Sequence, residues 1–129
     1  MKLTEFSMTM LNTDAAEDAY RRLCMLILPI KKKWFDMIAS GEKKEEYREV
    51  KPYYTTRFEK IFKEYPIGNN LATIIFRNGY STKAPAIEAE CMLRKGKGKP
   101  EWGAEPGVDY YILVILAIKN VDLIAAADL

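Results

Sequence analysis

Trp34-Phe35-Asp36-Met37-Ile38-Ala39-Ser40-Gly41-Glu42-Lys43-Lys44-Glu45-Glu46-Tyr47-Arg48 carries the chain from a helix into a strand within fifteen residues. Trp34, Phe35, Met37 and Ile38 give an apolar face at helical spacing, and Ser40-Gly41 stops it in the manner of a glycine C-cap. Lys44, Glu46, Arg48 and Val50 then alternate with Glu45, Tyr47 and Glu49, the period of an extended segment that Pro52 closes. Charges of both signs where a helix hands over to a strand can face a cleft, and polar groups held on rigid elements build sites.

Upstream, Cys24 to Ile30 is an apolar run of strand length, expected to be buried on both faces, with Pro29 near its end. Residues 1–22 read as an N-terminal extension, with Asn12-Thr13-Asp14 capping a short helix through Tyr20. Downstream, Phe58, Ile61, Phe62 and Tyr65 recur at helical spacing, which predicts a second helix over Thr55 to Tyr65 with Thr55 or Thr56 as its N-cap. Pro66 and Gly68 end it. Leu71 to Arg77 reads as a strand, Asn78-Gly79 as a hairpin turn, and Ile87, Ala89, Cys91 and Leu93 as the apolar side of a half-buried strand. Lys95 to Gly107 reads as a loop and Val108 to Lys119 as a long apolar strand. Helices early and strands late predict an α+β fold, a small, partly closed β-barrel of five to six strands with helices at its ends, rather than a parallel α/β sheet.

At 129 residues the chain fits one domain, taken as residues 23–129, large enough for a core without disulfides or a structural metal. A formal charge of +2 creates no overall field for nucleic acid, so an electrostatic footprint would have to be local. Histidine is absent, which removes the commonest general base and metal ligand near neutral pH. Cys24 and Cys91 lie far apart in apolar runs and read as buried thiols, not as a disulfide or a zinc site. No metal and no cofactor are expected. No signal peptide pattern opens the chain, and the longest apolar run, Tyr110 to Ile118, is short of a membrane span. A soluble, cytoplasmic protein is expected.

On an extended strand Glu46 and Arg48 project to one face, roughly 6–7 Å apart. They can pair with each other or present an acceptor and a bidentate donor to a ligand. Lys43 has the opposite parity and joins them only if the chain is still turning after Gly41. The competing reading is a partly solvated ion pair with Lys43 as a surface charge. Trp34 is a candidate for stacking on a base or a core aromatic. Lys31-Lys32-Lys33 is either a phosphate contact or solubilising charge. Arg94 to Gly103 alternates lysine with glycine around Lys97 and Lys99 and ends in Trp102, a composition suited to a mobile arm over a phosphate backbone or to a flexible hairpin loop. It lacks the spacing of a P-loop.

Gly41-x-Lys43-x-x-Glu46-x-Arg48 after an apolar helix bearing Trp34 and Ile38 resembles the signature of the ASCH (activating signal cointegrator homology) domain family, within the PUA-like superfamily. The order of elements is similar over roughly residues 24–122. The resemblance implies a β-barrel whose cleft, lined by Lys43, Glu46 and Arg48, takes RNA or a small nucleotide-like ligand. On that reading Lys32, Lys33, Trp34, Gly41, Lys97, Lys99 and Trp102 join the binding surface. Some relatives are amidohydrolases acting on acylated cytidine, with the motif lysine serving a threonine nucleophile where this chain has Glu46. That mechanism does not transfer, although a carboxylate there could act as a base. RNA cleavage is also attributed to relatives, so the enzymatic alternative assigns catalysis to Lys43, Glu46 and Tyr47. A protein-interaction module docking through residues 1–22 is the third reading. The sequence sets no oligomeric state.

Overall fold

The computed structural model describes residues 25–64 and 70–122. The readings made for residues 1–22, for Cys24 and for the helix end at Tyr65, Pro66 and Gly68 fall outside them. The elements run β1 (Met25–Ile30), α1 (Lys32–Ala39), β2 (Glu45–Glu49), α2 (Pro52–Glu64), β3 (Leu71–Asn78), β4 (Ala86–Lys97) and β5 (Asp109–Asp122), with a 3₁₀ turn at Pro100–Trp102 before β5. They form an α+β fold: a curled, mixed five-stranded sheet in the order β1-β3-β4-β5-β2, making a half-barrel with two helices.

The topology follows from connection lengths. β3, β4 and β5 form an antiparallel meander; the first hairpin leaves β3 at Asn78-Gly79 but is longer than a two-residue turn, running over residues 79–85 with Asn78 bonded to the Pro85 carbonyl. β2 joins the far side of β5 antiparallel, with Glu46 opposite Leu113 and Arg48 opposite Tyr111. β1, reached only through crossovers, pairs parallel with β3. Register shifts opposite Glu88/Ala89 and Glu90/Cys91 leave Lys119 and Leu116 without a partner on β4 and mark bulges in β5. Such bulges bend a strand and raise its twist, which curls a sheet towards closure. Closure stops at β1 and β2, the two edges.

Period-2 alternation places Ala72, Ile74 and Phe76 of β3, Ile87, Ala89 and Cys91 of β4, and Tyr111 and Leu113 of β5 in one core. Phe35 and Ile38 from α1 and Phe58, Ile61 and Phe62 from α2 complete it. Tyr47, Ala104 and Ile112 have the other parity and form a smaller cluster beneath the β4–β5 loop. Cys91 is a free, buried thiol. No helix among the described residues is long and apolar enough to cross a membrane.

Three expectations need correction. β1 is an edge strand and is not buried on both faces: Ile27 is 46% exposed. An edge also tolerates Pro29, which has no N–H to donate to a ladder. The second helix begins at Pro52 rather than after a Thr55 or Thr56 cap. Proline is pre-set for the first helical position, where its missing donor costs nothing, and Tyr54 and Thr55 both donate backbone N–H bonds to the Lys51 carbonyl. The Lys95–Gly107 segment is not one loop. Lys95, Gly96 and Lys97 continue β4 opposite Tyr111, Tyr110 and Asp109, and the next residues are tied by backbone bonds from Trp102, Gly103 and Ala104.

Candidate functional site

Gly41 is where the site begins. Its φ of 87° is a left-handed conformation that glycine adopts without penalty, and it ends α1 with its N–H on the Ile38 carbonyl. The chain then doubles back so that Lys43 donates its backbone N–H to the Met37 carbonyl. Because β2 starts only at Glu45, Lys43 is free of strand parity and turns to the same cluster as Glu46.

There Lys43 is 1% exposed and Glu46 5%. The Lys43 Nζ donates to the Trp102 carbonyl at 2.5 Å and lies 3.2 Å from Glu46 Oε1. It also faces the rings of Trp34 and Tyr47, each at 4.9 Å. The other Glu46 oxygen accepts from Arg48 Nη1 at 2.8 Å. Burial pushes the Lys43 pKa below the ordinary 10.5, with the Glu46 carboxylate working against that shift. Two cations against one carboxylate leave this cluster net positive.

Arg48 does more than pair. Its Nη2 donates to the Pro29 carbonyl at 3.1 Å, so a side chain from one sheet edge, β2, clasps the other edge, β1. The Arg48 Nε is buried without a hydrogen-bond partner. A cleft of about 950 Å³ opens along this seam, near the upper end of the range for small-molecule sites. Lys31, Lys32, Arg48, Lys51 and Arg57 line it, and among the described residues Glu46 is the one carboxylate that does. Aromatic side chains share the walls: Trp34, Trp102 and Tyr47 towards the Lys43 end, and Tyr53, Tyr54 and Tyr80 at the other elements.

The structure brings Trp34, Lys43, Glu46, Tyr47, Arg48 and Trp102 together, with Gly41 as the pivot. Contrary to expectation, Lys43 is packed away behind Trp34, Tyr47 and Trp102 and does not line the cleft, nor do Lys33, Gly41 and Lys99. Trp34 is only partly buried, packed on the core while lining the cleft. Lys32 lines the cleft and pairs with Asp36 at 2.7 Å in an exposed i,i+4 bridge. Lys33 lies over the Trp34 ring at 4.7 Å. Lys97 is away from the cleft, bridged to Asp109 at 2.8 Å, and Lys99 stacks on the Trp102 ring at 4.4 Å. Tyr47 holds the loop: its hydroxyl donates to Glu45 at 2.8 Å and accepts the Lys99 N–H at 2.9 Å. Burial raises its phenol well above the ordinary 10.0, so it is protonated at neutral pH.

The sequence reading missed Lys51, Tyr53, Tyr54, Arg57 and Tyr80. Pro52 was the available signal, because a helix starting there puts Tyr53, Tyr54 and Arg57 in its first turns, immediately after the motif strand. Comparison of the chain with family models, with curated proteins and with solved structures gave no match.

Proposed function

We propose that the protein binds RNA or a small nucleotide-like anion in the cleft between β1 and β2. The observation that supports this most is the lining. Among the described residues five cationic side chains meet one carboxylate, and that carboxylate is already neutralised by Lys43 and Arg48. Anions are therefore attracted, and the aromatic walls offer faces to a base. Arg48 is the central contact. Its unpartnered Nε is a buried, unsatisfied donor, at a cost of about 1–3 kcal/mol that is relieved when the side chain shifts to meet a phosphate oxygen. The similarity of the Gly41–Arg48 motif to ASCH domains points to the same ligand class.

Binding fits this geometry better than hydrolysis by Lys43. The amine is spent on Trp102 and Glu46 and is screened by two aromatic rings, and it does not line the cleft. At 1% exposure it is out of a substrate's reach unless the residues packed on it move.

Titration with short RNAs and nucleoside monophosphates at low salt tests the proposal. Arg48→Ala and Lys51→Ala are expected to weaken binding at least about tenfold and about threefold, in keeping with the loss of one buried and one exposed phosphate contact. Unchanged affinity in both variants would remove the assignment. Incubation with N4-acylated cytidine and with RNA should give no turnover. Turnover abolished by Lys43→Met would instead establish the enzymatic alternative.

A further inference from the structure

We infer that the cleft anchors a single-stranded nucleic acid that continues over its rim, rather than holding one nucleotide alone. This rests on the binding reading above and extends it to a second set of residues.

The rim is built from Tyr80, Tyr53 and Arg57. Tyr80 is 88% exposed yet lines the cleft mouth, since it follows the Asn78-Gly79 turn. That turn is pinned in place: Gly79 donates its N–H to the Ile30 carbonyl at the end of β1, and Asn78 donates to the Pro85 carbonyl. The backbone that carries Tyr80 is thus held beside the cleft, while the ring itself stays uncovered. Tyr53, in the first turn of α2, is 53% exposed. Its ring carries the Arg57 guanidinium 3.6 Å from its centroid and meets Tyr54 edge-on at 5.0 Å. Arg57 is itself fixed by a bond to the Tyr53 carbonyl. Exposed aromatic and guanidinium planes beside a cationic groove are what successive unpaired bases stack on, whatever their identity.

The charges agree with this. One phosphate on Arg48 would leave Lys31, Lys51 and Arg57 on the same walls with no anionic partner from the ligand. A strand with further phosphates gives each of them one. Lys51 now pairs with Glu49, but that bridge is exposed on both sides and is cheaply exchanged. A duplex cannot use the rim, because its bases are stacked on each other and not available to Tyr80 or Tyr53.

The test compares mononucleoside 5′-phosphates with labelled single-stranded RNA and DNA octamers and with the corresponding duplexes. The single strands should bind at least about tenfold more tightly than the mononucleotides. Their log affinity should fall with log salt at a slope of about −3, as four neutralised phosphates give. Tyr80→Ala and Tyr53→Ala should each cut the ratio of octamer to mononucleotide affinity by about tenfold, the size of one lost stacking contact. RNA against DNA octamers distinguishes which sugar the walls accept. Equal affinity for octamer and mononucleotide, both lost in Arg48→Ala, would overturn this inference and leave the nucleotide-binding proposal standing. So would a duplex that binds as tightly as the single strand. Absence of binding to every ligand would remove the underlying proposal itself.

Discussion

Glu46 is the residue on which the site depends. Its two oxygens separate two cations, Lys43 and Arg48, in a place with almost no water. Glu46→Gln leaves both cations buried without a counter-charge, and stripping one partner from a buried pair costs about 3–5 kcal/mol. Lys43→Met leaves a neutral Glu46–Arg48 pair and loses mainly the bond to Trp102, on the order of 1–3 kcal/mol. Urea midpoints should therefore rank Glu46→Gln well below Lys43→Met; the reverse order would mean that Lys43, not Glu46, holds the cluster. Cys91 offers a pH-dependent check of the core. Burial pushes its thiol from 9.0 up to about 12, the Glu90 carboxylate adding to the shift. The folded state then holds that proton more tightly than the unfolded chain. Its contribution is complete below about pH 9 and is lost as pH rises towards about 12. Cys91→Ala should flatten the fall of stability with pH in that window, and in a Cys24→Ser background the native thiol should resist labelling at pH 8.

At the scale of elements, α2 and the β4–β5 loop show what local pattern could and could not reveal. Thr55 is not a cap; its hydroxyl pairs with that of Tyr111, 2.5 Å away on β5. A double-mutant cycle with Thr55→Val and Tyr111→Phe should return a coupling of about 1 kcal/mol, whereas a capping role would give none. In the loop, Gly98 leaves no room for a side chain, since a Cβ would come 2.5 Å from the Tyr47 ring and 2.8 Å from the Ala104 Cβ. Gly98→Ala should cost about 1–3 kcal/mol through overpacking and loosen the Trp102 turn. The strands were legible because side-chain alternation is a local signal: Ile87, Ala89 and Cys91 face the core as their spacing says. Glu46 and Arg48 shared a face for the same reason. The helix start at Pro52 was misread because proline closes a strand and opens a helix equally well, and only the following packing decides. The extension of β4 through Gly96 was hidden for another reason: glycine and lysine spell a loop until Tyr110 and Tyr111 of β5 supply the opposite ladder. Lys43 could not be placed by parity at all, because it belongs to the turn and not to the strand.

On the scale of the whole molecule, the half-barrel has two edges, β1 and β2, and the cleft is the gap between them. A side chain reaching across that gap from one edge to the other is Arg48, through the Pro29 carbonyl. The same guanidinium therefore serves closure and ligand contact, and the two roles compete or cooperate depending on which nitrogen a ligand takes. Nη1 and Nη2 are committed to Glu46 and Pro29 while Nε is buried without a partner, so an oxyanion that reaches Nε through a small shift of the side chain would add to the clasp instead of replacing it. Ligand binding should then slow hydrogen exchange in Met25–Ile30, an edge strand laddered on one side only, more than in β4, which is flanked on both. Arg48→Lys keeps the charge but not the fork, so it should speed exchange in β1 in the free protein and abolish the ligand-dependent slowing there. If ligand instead speeds exchange in β1 of the unaltered protein, the anion takes Arg48 from Pro29, and the seam opens on binding rather than tightening.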